Sequence, residues 1–167
     1  MKNNISLVIN GKKVTLTDEQ LAKLGIRTFP YENPFKRVAY DERYYVLDGS
    51  GNIHTYSERN DEFDNKEFNE INYFNNEQFA NQVALHQLLY RKLLKFAYDN
   101  GYEDTQGWNK TNVHWCILYN YNTNQFITEC FGSYKYGSVW FSSDIGAKRA
   151  IKEVVKPFMK ENPDFVW

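Results

Sequence analysis

A chain of 167 residues with 42% apolar content can bury a sizeable core without staples and is too apolar to be disordered by composition. Its 20 Lys+Arg against 21 Asp+Glu argue against a dominant basic footprint for DNA or RNA, and equally against the simplest acidic decoy of nucleic acid. No apolar run approaches the roughly 18 residues that span a bilayer. Met1-Lys2-Asn3-Asn4-Ile5 does not open a signal segment, so no membrane role and a cytoplasmic place are expected.

Residues 5–16 read as a hairpin, with Asn10-Gly11 able to supply the positive-φ pair of a tight turn. A short helix is expected next. Thr17 can cap it, Gln20 completes a capping box, Leu21 and Leu24 give an apolar edge, and Gly25 stops it. Residues 1–26 are thus expected to form a small hairpin–helix lobe, with 39–167 as the main domain. Pro30 and Pro34 mark the stretch 27–38 as a connector. Residues 43–57 predict a second hairpin around Asp48-Gly49-Ser50-Gly51. The acidic stretch Glu58 to Glu70 is weakly patterned and lacks the ligand spacing of a calcium loop. It is expected to be a solvated loop or an irregular edge.

The spacing predicts a long helix from about Asn76 to Asn100, capped by Asn75 or Asn76 and ended by Gly101. Phe79, Ala80, Val83, Tyr90, Leu93, Leu94, Ala97 and Tyr98 share one broad face. Leu85, Leu89 and Phe96 widen it, so the helix should touch more than one neighbour. His86 falls on the apolar side and is expected to be buried and hydrogen-bonded. Arg91, Lys92 and Lys95 read as a solvated face that suits the helix dipole.

Trp108, in the polar stretch 101–112, either folds back on the core or marks a contact surface. Strands are expected over 113–119 and 125–131, around an Asn-rich turn whose residues tolerate the left-handed conformation. Ser138–Phe141 follows. A last helix is capped by Ser142 or Ser143 and turns Ile145, Ala147, Ile151, Val154, Val155 and Phe158 inward. Pro157 should kink or end it near Lys156. The tail Phe165-Val166-Trp167 is expected to pack. The fold class expected is α+β, with antiparallel hairpins and a meander packed on one long central helix and a C-terminal helix. The passages 44–100 and 113–158 both run hairpin-then-helix, too loose an echo in sequence to establish duplication.

Chemistry is sparse. The 3 histidines are His54, His86 and His114, and no nucleophile elbow, phosphate cradle or Cys-x-x-Cys pair is present. No catalytic residue and no cofactor are therefore assigned. If strands 113–119 and 125–131 pair, His114, Cys116 and Cys130 could converge near one face, with His54 or an acid as a fourth metal ligand. That spacing matches no finger pattern, and two free thiols are the simpler reading. The binding candidates are Trp108, Lys110, Tyr134, Lys135 and Tyr136, where rings and cations interleave up to Trp140. Such groups suit nucleic acid by stacking and phosphate contact, and suit a protein hot spot equally.

A set of segments carries a family likeness. They are Asn72-Tyr73-Phe74, Leu89 to Ala97, Phe131-Gly132, Val139 to Ser143, and Ala150 to Phe158. Over about residues 40–167 the chain resembles small accessory proteins of bacteriophages and prophages of Gram-positive bacteria. The resemblance brings no catalytic residues with it. It implies a non-enzymatic protein that binds a host protein or protein–nucleic-acid complex. The expected role is inhibition of a defence system such as a CRISPR-Cas nuclease, an anti-CRISPR function. A nucleic-acid-associated domain and a structural-metal protein are the alternatives.

Overall fold

The computed structural model describes residues 6–9, 11–17, 20, 33–104, 107–109 and 111–167. The fold is α+β. Among the described residues three antiparallel hairpins form: β1 (Ser6–Ile9) with β2 (Lys12–Thr15), β3 (Arg43–Leu47) with β4 (Ile53–Ser57), and β5 (His114–Asn120) with β6 (Gln125–Phe131). The helices are α1 (Glu62–Asn69), α2 (Glu77–Asp99), α3 (Asp144–Ala150) and α4 (Lys156–Glu161), the last two joined by a π-helical turn, Ile151–Val155. No described helix is long and apolar enough to cross a membrane. Gly11 takes φ +76°, as the first hairpin turn requires. Thr17 and Gln20 form the capping box, each backbone N–H donating to the other's side chain at 3.0 and 3.3 Å. The helix expected beyond them, with Leu21, Leu24 and Gly25, lies outside the described residues.

The sequence echo becomes a structural repeat. Arg43–Leu47 and Val113–Ile117 share one burial order: exposed, buried, half-buried, buried, buried. In each, the third residue makes a single antiparallel bridge to a phenylalanine, Tyr45 to Phe74 and Trp115 to Phe141. Both backbone hydrogen bonds are present in both bridges, at 2.8 to 2.9 Å. Each phenylalanine lies two residues before a helix N-cap. Asn76 Oδ1 accepts from Phe79 N at 2.8 Å, and Ser143 Oγ accepts from Gly146 N at 3.1 Å. Four residues past each cap stands an alanine, Ala80 or Ala147, 0% exposed. The hairpin, its aromatic bridge and the capped helix therefore recur as one unit, with α1 inserted in the first copy. A small side chain at both alanines lets the helix approach its sheet. Ala147→Leu and Ala80→Leu are each expected to destabilise by about 1–3 kcal/mol through overpacking, measured by urea unfolding.

Helix α2 joins the two units. Its first half places Ala80 and Ala84 against Leu47 and Phe74. Its second half places Leu89, Leu93 and Ala97 in the larger core with Ile117, Trp140, Phe141, Ile151, Val155 and Phe158. The helix ends as expected. Gly101, at φ +81°, donates to Tyr98 O at 3.1 Å and Tyr102 N donates to Ala97 O at 3.0 Å, a Schellman closure. The face is narrower than the wheel suggests. Tyr90 and Tyr98 are 46% and 52% exposed, because the phenol tip is favoured in water and alanine and leucine positions supply the buried contacts of this helix. His86 is a second correction. It is exposed and not buried, with its ring 4.7 Å from that of Phe165.

The C-terminal region departs from expectation in two ways. Ile145 is 72% exposed, since it lies in the first turn of α3, off the face that carries Ala147 and Ala150. Pro157 does not end the helix. Lys156 N bonds Ile151 O, five residues back, and the wider turn carries the helix past the missing proline donor to Glu161. The aromatic tail packs as expected. Phe165 is buried, its ring 5.3 Å from Phe158, and Trp167 lies edge-on to Phe126 at 4.8 Å. Gln82 clamps it, donating to Asp164 O at 2.7 Å and accepting from Val166 N at 3.0 Å.

Candidate functional site

The acidic stretch is not a solvated loop. Asp61 caps α1 in a capping box with Asp64, and Glu58, Asp64 and Glu67 are buried. Carboxylates enter a core only with partners, and here the partners come from distant segments. Arg37 grips Glu58 with two parallel bonds, Nε to Oε2 and Nη2 to Oε1, both 2.8 Å. Tyr73 Oη donates to Glu58 Oε2 at 2.8 Å and accepts from Val38 N at 3.3 Å. Asp64 accepts from Tyr44 Oη at 2.5 Å and from Arg59 N at 2.6 Å. The two phenol rings stack at 4.0 Å. The guanidinium of Arg37 holds the Glu58 carboxyl below its ordinary range. Burial alone would raise Asp64, but the bonds from Tyr44, Arg59 and Asp61 outweigh it and hold that carboxyl low as well. Burial and the Asp64 bond push the Tyr44 hydroxyl up. Every member is satisfied by another, which is the behaviour of a structural lock.

The sequence-predicted binding residues meet at the other end of the molecule. Trp108 folds back on the core. Its ring stacks on buried His114 at 4.2 Å and stands edge-on to Trp140 at 4.7 Å. Lys135 Nζ lies 5.7 Å over the Trp108 ring and bonds both oxygens of Asp104, at 2.6 and 2.9 Å. That pairing holds Asp104 below its usual range and occupies the cation. Tyr136 shares a hydrogen bond with Cys116 Sγ at 2.9 Å and packs edge-on to Trp140 at 4.9 Å. Tyr134 is 72% exposed and Tyr136 43%. Trp108 and Tyr136 thus meet on Trp140 with Lys135 over Trp108, and exposed Tyr134 adjoins Lys135 in the chain to complete an aromatic strip. Lys110 lies outside the described residues.

The strip borders a groove of about 580 Å³. Buried Leu89, Leu93, Ile117, Val139 and Phe141 form its floor. His86, Gln87, Tyr90 and Arg91 of α2 make one wall, Gly137 and Ser138 the other, and Trp167 closes an end. Its size falls within the range of ligand sites. Sequence reading missed it because four segments far apart in the chain build it, and Arg91 read as an ordinary solvated cation.

No family model, curated protein or solved structure matches this chain.

The proposed metal cluster does not assemble. In the β5–β6 register Cys130 lies opposite Trp115, and Glu129 opposite Cys116. Side chains alternate along a strand, so Cys130 points away from the face shared by His114 and Cys116. His54 is in the β3–β4 hairpin, 3.0 Å from Asp48 Oδ2. The described residues contain no group of three or more metal-ligating side chains. The two thiols should differ sharply. Cys130 is exposed, whereas Cys116 is buried and burial pushes its thiol up. In native protein a thiol reagent should label Cys130 rapidly and Cys116 far more slowly, with equal rates in denaturant. Equal native rates would contradict the burial of Cys116.

Proposed function

We propose that this protein works by recognition, binding a host macromolecule through the Trp108–Tyr136 strip and the groove beside it. The observation that carries the reading is the adjacency of the two. Exposed Tyr134 and half-exposed Tyr136 lead directly into Gly137 and Ser138, which wall the groove. Trp108 and Tyr136, packed against Trp140, are rings that bind at low entropic cost. The partner class rests on the resemblance to phage and prophage accessory proteins. On that basis the partner is a bacterial defence protein, most directly a CRISPR-Cas nuclease inhibited without bond-breaking in the host cytoplasm. A nucleic-acid role is less well supported, because Asp104 already holds Lys135, the strip's described cation.

The test is capture of purified CRISPR effector nucleases by the tagged protein. DNA and RNA mobility at low salt runs in parallel. Binding of one nuclease, lost in the Tyr134→Ala/Lys135→Ala variant, supports the reading. Binding of nucleic acid alone, with slope set by salt, replaces it with the alternative. No capture of any nuclease removes the anti-CRISPR role.

A further inference from the structure

The groove is chemically one-sided. Its floor is apolar, and the side chains of its lining include one full positive charge, Arg91, and no Asp or Glu. Arg91 makes no ion pair among the described residues, and its guanidinium lies beside Gly51 of the β3–β4 turn, 3.5 Å from where a side chain would begin. Among the described residues, Arg37, Arg59 and Arg149 pair with carboxylates, whereas Arg43 and Arg91 do not. The same groove is lined by the polar residues His86, Gln87 and Ser138 and by Tyr90 and Trp167.

We infer that the groove receives an acidic peptide segment carrying an aromatic side chain. The ring would seat on Leu89, Leu93, Ile117 and Phe141, where it gains apolar contact. A flanking carboxylate would take the planar fork of Arg91 in two parallel bonds, which a single guanidinium offers most directly to a carboxylate. A nucleotide fits less well, since its phosphates need more donors than one guanidinium. This inference rests on the recognition reading and names the chemistry of the partner's contacting segment.

The probe is a fluorescein-labelled peptide, Gly-Ser-Glu-Asp-Phe-Asp-Glu-Ser-Gly, titrated into the full chain by anisotropy. Control peptides replace Phe by Ala, or each acid by Lys, and AMP is the unlabelled competitor. The protein variants are Arg91→Glu, at an exposed helix position, and Ser138→Trp, which fills the groove. The expected result is saturable binding, weakened about tenfold or more by Arg91→Glu. Ser138→Trp should abolish it. The lysine peptide should bind Arg91→Glu better than wild type. Equal binding by wild type and Arg91→Glu, no binding of any peptide, or displacement by AMP with no preference for the acidic peptide would each overturn the inference. Those outcomes leave the recognition reading intact if nuclease capture still depends on Tyr134. Loss of capture altogether, with the peptide still bound in the groove, would strike the partner class and spare the groove.

Discussion

Arg37→Met is expected to cost about 3 kcal/mol of folding stability, the low end of the range for orphaning a buried charge. The low end applies because Arg37 is 28% exposed and partly screened, while Glu58 is 1% exposed. Without the guanidinium, Glu58 keeps only Tyr73 Oη and Asn60 N as donors, at 2.8 and 2.7 Å. The double variant Arg37→Met/Glu58→Leu should recover part of the loss, since no charge is then stranded. A double variant no more stable than the single one would show that the damage is packing and not charge. The pH dependence carries a sign. Folding depresses the Glu58 carboxyl, so its contribution is present above the unfolded value, near 4, and fades as pH falls through the lower folded value. In Arg37→Met the order reverses. The orphaned carboxyl rises, and the deficit should shrink as pH drops from 7 towards 4. Urea midpoints across that window measure both slopes.

Trp140→Ala is expected to cost about 3–5 kcal/mol. Trp140 is buried, edge-on to Trp108, Tyr136 and Phe131 at 4.7, 4.9 and 6.0 Å, and its Nε1 donates to Tyr136 O at 3.3 Å. The truncation opens a cavity and releases the loop that carries Tyr134 and Tyr136. Trp140→Phe should cost less, since it keeps an aromatic ring and loses the Nε1 donor and part of the ring volume. Urea unfolding followed by far-ultraviolet circular dichroism gives the two values. A loss below about 1 kcal/mol for the alanine variant would mean that the strip is a surface ornament and not anchored in the core.

The elements that sequence predicts well are those decided locally. The Asp48 turn is one: its carboxylate accepts from Ser50 N and Asn52 N, both at 2.8 Å, so five consecutive residues specify the hairpin. Asn124 takes φ 52°, as its type allows. Helix α2 is another, because its cap, apolar spacing and terminal glycine agree. The misses are decided at a distance. Nothing near Glu58 or Asp64 says that Arg37, Tyr44 and Tyr73 will meet them, and a run of acids without such partners belongs in water. Tyr90 and Tyr98 sit at the edge of an apolar arc, where an amphipathic ring can face either way. Whether Cys130 joins His114 and Cys116 turns on a single residue of register, since each step along a strand sends the side chain to the opposite face of the sheet. Of the site, the strip was legible as a dense run of rings and cations. The groove was not, since Leu89, Ile117, Phe141 and Trp167 become neighbours only after both units close on α2.

Recognition through the strip and groove is tested most directly by hydrogen exchange on the protein alone and saturated with a captured nuclease. Slower exchange concentrated in residues 134–141 and 86–93 is the predicted result. Slower exchange confined to the β3–β4 hairpin and α1, with both of those stretches exchanging as in the free protein, would contradict it.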